Sequence, residues 1–326
     1  MNKMIDVLLL ILGLAIVLIG ANYLVEGAGT IAKKAGMSDF MVGMTIVGIG
    51  TSTPEMVVSF IGALNGNADV AVGNVMGSNL FNTMVILGVS AIITPIALTS
   101  NNIKKDIPFC VLASLVVMTL GLGTVLDDAT HNIITRVNGI MLLAMFGIFI
   151  AYTIFSGKNS MTQEEIPPQT PAKKEKSILL CIAMFIGGLV GLIFGGDMFV
   201  NSACSIAKNL GLSDTIIALT ILAGGTSLPE LATSVMAAYK KNTDMAFGNV
   251  IGSNISNIFL ILGGAAVIHP LSMENISLLD LSMLVMSSII VFVCAFTFKK
   301  KQLDRAEGII MTLGYIAYIT YLVCNA

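Results

Sequence analysis

Residues 50–55 read GTSTPE, and residues 225–230 read GTSLPE. Each hexapeptide lies inside a long apolar stretch, where a proline lacks the backbone N–H that a helix needs. Pro54 therefore frees the carbonyl of Gly50, and Pro229 has the same effect in the second hexapeptide. Because a free carbonyl is costly in hydrocarbon, we expect both helix breaks to face a polar cavity or a bound ion.

The two hexapeptides belong to an internal repeat with a spacing of 175 residues. IAKKAGMSD at 31–39 recurs as IAKNLGLSD at 206–214, and GNVMGSN at 73–79 recurs as GNVIGSN at 248–254. Between 31 and 95 roughly half of the aligned residues are identical. Such similarity indicates a gene duplication and predicts two similar halves.

The composition predicts a membrane protein. Of the 326 residues, 56% are hydrophobic and only 11% are charged, against roughly a quarter charged in soluble domains. This excludes a disordered chain, and the net charge of −2 offers no basic surface for nucleic acid. A bilayer is spanned by about 20 mostly apolar residues, and ten segments qualify. They are 4–25, 40–64, 69–95, 106–126, 134–156, 177–203, 214–239, 245–269, 278–298 and 306–324.

The distribution of basic residues predicts the orientation. With the N-terminus outside, 14 of the 17 Lys and Arg residues fall in inside loops, and only Lys3, Arg136 and Lys208 fall outside. Loops rich in Lys and Arg stay in the cytoplasm. The chain is therefore predicted to cross the cell membrane, plasma or inner, ten times, with both termini outside.

The ten helices divide into two fives. The first repeat is predicted to span 1–156, with its motif region at 38–95, and the second 177–326, with its motif region at 213–270. The polar stretch 157–176 between them reads as a flexible cytoplasmic linker. Because each half has an odd number of helices, the second must enter the membrane upside down. The predicted fold is an all-α membrane protein of two inverted five-helix repeats, an architecture typical of transporters.

Two glutamates dominate the helix breaks. Glu55 and Glu230 follow the prolines directly and fall near the bilayer midplane, where an unpaired carboxylate costs several kcal/mol. The membrane segments offer no Lys or Arg partner, so a bound cation is the expected counter-charge. Hydroxyls stand beside both glutamates, at Thr51, Ser52, Thr226 and Ser227.

The third and eighth segments add polar side chains at a spacing of four residues, which places each pair on one helix face. These pairs are Ser78 with Asn82 and Ser253 with Asn257. The donor set consists of oxygen atoms, which suits Ca²⁺ and Na⁺ and argues against copper and zinc. The five cysteines form no CxxC motif and there are only two histidines, so we expect no resident metal and no cofactor.

The paired GTSxPE and GNVxGSN motifs resemble the alpha-repeats of the sodium/calcium exchanger branch of the calcium/cation antiporter superfamily. The resemblance covers the whole chain and implies Ca²⁺/Na⁺ antiport by alternating access, with the first and sixth helices sliding as a gating pair. It implies that Glu55 and Glu230 bind calcium. It also implies that further oxygen ligands hold sodium, from Thr51, Ser52, Ser78, Asn82, Thr226, Ser227, Ser253, Asn257 and the backbone of Gly48 and Ala223.

One position departs from that pattern. Exchangers of this branch often have aspartate where this chain has Asn257, so the predicted site has two carboxylates instead of three. This leaves exchange of Ca²⁺ or another cation for H⁺ as an alternative, and leaves a dependence on K⁺ open. An ion channel is a further alternative, although inverted repeats favour a transporter, and no arrangement typical of an enzyme is present. The oligomeric state is open, and a monomer is compatible with the sequence.

Overall fold

The protein is described by a computed structural model that covers residues 3–126, 130–160, 177–210, 223–297 and 301–325. Of the predicted linker 157–176, residues 157–160 are helical, and 161–176 lie outside the described residues. The described part is helical, with four two-residue strands. The helices are α1 (Lys3–Ala35), α2 (Asp39–Thr51), α3 (Thr53–Leu64), α4 (Ala68–Ile93), α5 (Asn102–Asp106 and Ile107–Gly121), α6 (Gly123–Leu126), α7 (Arg136–Ser160), α8 (Ile178–Asn209), α9 (Ala223–Gly225), α10 (Leu228–Tyr239), α11 (Thr243–Ile268), α12 (Leu278–Cys294) and α13 (Arg305–Asn325).

The chain is a multi-pass membrane protein. Among the described residues, six helices are long and apolar enough to cross a bilayer, and a seventh span results if α2 and α3 are counted together. The helix α12 is apolar but shorter. Every predicted segment contains a described helix, but 211–222, which begins the predicted seventh segment, lies outside the description. The count of ten spans stays a prediction.

The first helix is longer than predicted. It continues to Ala35, ten residues past the predicted end, where Gly36 turns the chain with a φ of 66°. The residues after 25 include IAKK, whose charges suggested that the span had ended. A helix can leave the hydrocarbon without ending, so the charges mark the membrane surface instead of the helix terminus.

The helix bounds repeat with the same spacing as the sequence. The helices α3 and α10 each have 12 residues with a proline in the first turn, and they begin at Thr53 and Leu228. The helices α4 and α11 begin after Asn67 and Asn242, whose side chains each accept a hydrogen bond from the backbone N–H three residues later. The same local signals thus produce the same elements in both halves.

The two halves meet through small residues. At Gly20 and Gly188 a Cβ atom would lie 2.8 and 2.6 Å from the carbonyl oxygen of the other residue. This close approach, typical of membrane helices, packs α1 against α8 along their lengths. The first and sixth predicted helices are therefore partners, and their sliding stays a prediction.

The helix α11 packs equally closely against α2. A Cβ atom on Gly252 would lie 2.1 Å from the carbonyl oxygen of Met44, and one on Gly248 would lie 2.4 Å from that of Phe40. Any side chain larger than the hydrogen of glycine would force the helix backbone to move at either position. This contact holds the break between α2 and α3 beside α11.

Two short sheets also join the halves. The strand β1 (Ile96–Ala97) pairs antiparallel with β4 (Gln302–Leu303), and β2 (Ile133–Ile134) pairs antiparallel with β3 (Leu271–Ser272). Each strand therefore pairs with one from the opposite half of the chain. Apolar side chains on the outer helices are exposed, as at Leu8 and Ile148, which is the surface that lipid would cover.

Candidate cation-binding site

The first helix break lies at Ser52. Its backbone has φ −77° and ψ 10°, because Pro54 stands in the first turn of α3, and the axes of α2 and α3 differ by 46°. The carbonyl of Gly50 is not left free as predicted, since Thr53 Oγ1 donates to it at 2.7 Å. The sequence indicated that Pro54 supplies no backbone N–H to this carbonyl. That the Thr53 hydroxyl takes the place of this N–H depends on the geometry of the local turn.

The second break has the same backbone but a different side chain. Ser227 has φ −84° and ψ 10°, with Pro229 in the first turn of α10. Leu228 occupies the position that Thr53 has in the first half. A leucine has no hydroxyl, so the second break lacks this side-chain cap.

Each glutamate is bound by a serine from the other half. Ser227 Oγ donates to Glu55 Oε1 at 2.8 Å, and Ser52 Oγ donates to Glu230 Oε1 at 2.8 Å. All four side chains are buried, and both glutamates have 0% exposure. The two breaks therefore lie together between the repeats, and their role as an ion site stays a prediction.

One oxygen of each carboxylate remains unused by the protein. The Oε2 atoms of Glu55 and Glu230 are buried and have no hydrogen-bond partner within the described residues. A buried oxygen that carries charge is strongly destabilising without a donor or a cation. Both atoms are thus available as ligands.

The threonines of the two motifs bind asparagines across the repeats. Thr51 Oγ1 donates to Asn249 Oδ1 at 3.2 Å, and Thr226 Oγ1 lies 3.4 Å from Asn74 Oδ1. Thr51 also donates to the carbonyl of Val47 at 3.1 Å. Both threonines also lie within reach of a carboxylate, Thr226 of Glu55 and Thr51 of Glu230.

Asn74 and Asn249 position the glutamate backbones and were not among the predicted site residues. Asn74 Nδ2 donates to the carbonyl of Glu55 at 3.1 Å and to Ser59 Oγ at 2.9 Å. Asn249 Nδ2 lies 3.4 Å from the carbonyl of Glu230 and donates to a serine at 2.8 Å, Ser234. All four supporting residues are identical between the repeats at the 175-residue spacing, which is the signal that could have identified them.

The predicted asparagine ligands begin π-helical turns. These turns span Asn82–Ile86 and Asn257–Leu262, and such turns are frequent at functional sites. Asn257 Nδ2 donates to Asn79 Oδ1 at 3.1 Å, and Ser253 Oγ donates to the carbonyl of Gly48 at 3.1 Å. Sequence periodicity could not predict the π-helical turns, because they interrupt it.

Further buried oxygens also have no partner among the described residues. They belong to Ser78, Asn82 and Asn257. Ser78 and Asn82 follow Asn74 at successive spacings of four, so all three share a face of α4. Ala223 begins α9 immediately after 211–222, which lie outside the description, and its predicted role stays a prediction.

The available donors are carboxylate, hydroxyl and amide oxygens. Hard cations such as Ca²⁺ and Na⁺ prefer these ligands. Within the described ranges no group of three or more His, Cys, Asp and Glu side chains is placed to hold a metal ion. The site therefore depends on two carboxylates supplemented by neutral oxygens.

Comparison with known proteins identifies the family. The family described as "Sodium/calcium exchanger protein" matches residues 5–155 and 180–324. The putative antiporter CaxA of Alkalimonas amylolytica is 34% identical, over 94% of this chain and 95% of its own. The sodium/calcium exchanger MaX1 of Methanosarcina acetivorans is 31% identical, over 98% of each chain.

A solved structure is also similar over nearly its whole length. The sodium-calcium exchanger NCX_Mj, soaked with Na⁺ and Ca²⁺, matches with a TM-score of 0.82 and 31% identity, over 97% of this chain and 98% of that one. The resemblance inferred from the two motifs is therefore confirmed. This chain belongs to the sodium/calcium exchanger family.

Proposed function

We propose that the protein is a secondary antiporter that exchanges Ca²⁺ for Na⁺ by alternating access. Glu55 and Glu230 form its central site, and Thr51, Ser52, Ser78, Asn82 and their repeat partners complete it. The supporting observation is the reciprocal pair of serine–glutamate hydrogen bonds at 2.8 Å. Among the described residues, the second oxygen of each buried carboxylate has no hydrogen-bond partner.

The charge of this site supports the choice of ions. Two carboxylates balance one Ca²⁺, whereas three Na⁺ would leave one net positive charge. Moving that charge across the membrane is worth about 2.3 kcal/mol per 100 mV, so such an exchange would be electrogenic. The names of the solved and curated relatives, sodium/calcium exchangers, agree with this pair of ions.

The membrane arrangement is part of the same proposal. We infer ten spans in two inverted repeats of five, both termini outside, and the linker at 157–176 in the cytoplasm. Matching bounds of α3 with α10 and of α4 with α11 support the duplication. The 14 basic residues assigned to inside loops support the orientation.

The proposal is tested by ⁴⁵Ca²⁺ uptake into proteoliposomes loaded with Na⁺. We expect uptake that requires an outward Na⁺ gradient and stops when the gradient is removed, because binding of the two ions at one site couples their movement. Uptake that persists without any counter-ion would indicate a channel and contradict antiport.

A proton-coupled exchange is the second candidate. The observation in its favour is that Asn82 and Asn257 supply amides, so only two groups of the site can change charge, and two protons would balance one Ca²⁺. A pH gradient applied without Na⁺ distinguishes the two candidates. Uptake under that gradient alone favours H⁺, and a requirement for Na⁺ excludes it.

Removing either serine hydroxyl is expected to weaken Ca²⁺ binding. In Ser52→Ala and Ser227→Ala the opposite glutamate loses the donor that orients it, and a hydrogen bond to a charged group is worth about 1.5–3 kcal/mol. We expect the apparent KM for Ca²⁺ to rise roughly 10- to 100-fold in both variants. An effect in only one variant would contradict the equivalence of the two halves.

A further inference from the structure

Two buried hydroxyls, one from each half of the chain, have no counterpart at the 175-residue spacing. Ser90 and Thr233 have 0% exposure, and within the described residues neither oxygen has a hydrogen-bond partner. Buried helical hydroxyls usually donate to the carbonyl one turn earlier, as Ser114 and Thr153 do here. Ser90 and Thr233 make no such bond among the described residues, as Ser78 and Ser256 also do not, so their oxygens are available.

The two hydroxyls lie along the same contact between α4 and α10. The last turns of α4 pack against α10, and Thr94 Oγ1 donates to the carbonyl of Ala238 at 2.8 Å. Ser90 is one turn before Thr94, and Thr233 is between Glu230 and Ala238. At about 1.5 Å per residue, this register places both hydroxyls between the central carboxylate and the end of α10.

A cavity of about 370 Å³ lies where α10 ends. Glu26, Thr30, Asp39, Lys240 and Asn242 contribute to its lining. Asn242 Nδ2 donates to Asp39 Oδ2 at 3.0 Å, which joins the start of α2 to the turn before α11. The cavity is on the face where α1 ends near Lys34 and α10 ends before Lys240 and Lys241, here called the lysine-rich face.

The repeat-related contact, between α3 and α11, is apolar. Val58 and Ala265 replace Thr233 and Ser90 at the repeat spacing. The Phe60 ring fills the space beside Gly264, where a Cβ atom would lie 2.8 Å from it. The duplication therefore explains the central site but not these hydroxyls, which break its symmetry.

We propose that the cavity is the mouth of the ion pathway on the lysine-rich face, and that the hydroxyls of Ser90 and Thr233 line this pathway between the mouth and Glu230. A cation that leaves water needs replacement oxygens, and the hydroxyls supply them in an otherwise apolar contact. Glu26 and Asp39 place carboxylate oxygens in the lining of the mouth, beside Lys240. The identity of the ion rests on the proposed function.

A pair of cysteines at the two positions tests the pathway. In Ser90→Cys/Thr233→Cys, soft Cd²⁺ is expected to bind both thiolates and block ⁴⁵Ca²⁺ uptake at a concentration at least about tenfold lower than in wild type or either single variant. Cd²⁺ is applied on both sides of the proteoliposome membrane. The five native cysteines are present in every variant, so their contribution to the Cd²⁺ sensitivity is the same in each.

The apolar counterpart provides the matched control. Val58→Cys/Ala265→Cys is expected to gain no such sensitivity on the same exposure to Cd²⁺. Equal sensitivity of the Ser90→Cys/Thr233→Cys variant and wild type would overturn the pathway. Wild-type protein without ion-gradient-driven uptake would instead overturn the proposed function, so the two failures are distinguishable.

A second measurement does not depend on cysteines. Ser90→Ala and Thr233→Val copy the residue types of the other half, and together they are expected to slow uptake about five- to tenfold while equilibrium ⁴⁵Ca²⁺ binding changes less than twofold. Unchanged uptake in this double variant would overturn the proposal. A loss of binding equal to the loss of uptake would assign the residues to the central site and also overturn it.

Discussion

Replacing Glu230 with glutamine is expected to reduce Na⁺-driven Ca²⁺ uptake to background, and Glu55→Gln is expected to have the same effect. The amide keeps one oxygen for the serine donor, but its NH₂ group takes the position of the unpartnered Oε2 atom. A cation would then meet a donor instead of an acceptor. Loss of one charge from a buried ion pair costs about 3–5 kcal/mol, which corresponds to a loss of roughly 100-fold or more.

The matched control is another buried carboxylate. Asp106 is 4% exposed and accepts hydrogen bonds from Asn102 at 3.1 Å and Tyr152 at 3.3 Å, at the start of α5. Asp106→Asn removes a buried charge outside the site, so uptake is expected to stay within about twofold of wild type. Normal flux in either glutamate variant would show that the site lies elsewhere.

Gly252→Ala is expected to destabilise the folded protein strongly. The new methyl group would lie 2.1 Å from the carbonyl oxygen of Met44, and both sides of the contact are helix backbone. Overpacking in a rigid contact costs about 3 kcal/mol, which lowers the unfolding temperature by roughly 5–10 °C. The buried thiols of Cys110, Cys181 and Cys294 report unfolding in detergent through a thiol-reactive dye.

Gly147→Ala on α7 is the control for this prediction. Gly147 is exposed, and no described atom lies within 4 Å of a Cβ placed there. Because alanine favours helix over glycine by about 1 kcal/mol, this variant is expected to unfold at or above the wild-type temperature. Equal melting of the two variants would mean that α2 and α11 are not packed as described.

The position of the helix breaks and of the two buried glutamates could be predicted from the sequence. Pro54 and Pro229 indicated the breaks, and the 175-residue spacing indicated that Glu55 and Glu230 are equivalent. These signals are local or arise from duplication, so they need no knowledge of the tertiary structure. The family assignment followed from the same two motifs and is confirmed.

The contacts between the halves could not be predicted in this way. Ser52 binds Glu230 across 178 residues of sequence, and no periodicity specifies such a partner. The cap from Thr53 and the π-helical turns at Asn82 and Asn257 depend on local backbone geometry. The repetition of Asn74 and Asn249 was visible in the sequence. Their role in positioning the glutamate backbones became visible only from their hydrogen-bond partners in the structure.

The reciprocal serine–glutamate bonds can form only after much of the second half has been translated. Ser227 follows its partner Glu55 by 172 residues, which a ribosome adding about 5–20 residues per second translates in roughly 10–30 s. Throughout that interval the nascent first half holds a glutamate whose serine does not yet exist. The hydrogen bonds that join the two breaks can therefore form only after the second half has begun to dock against the first.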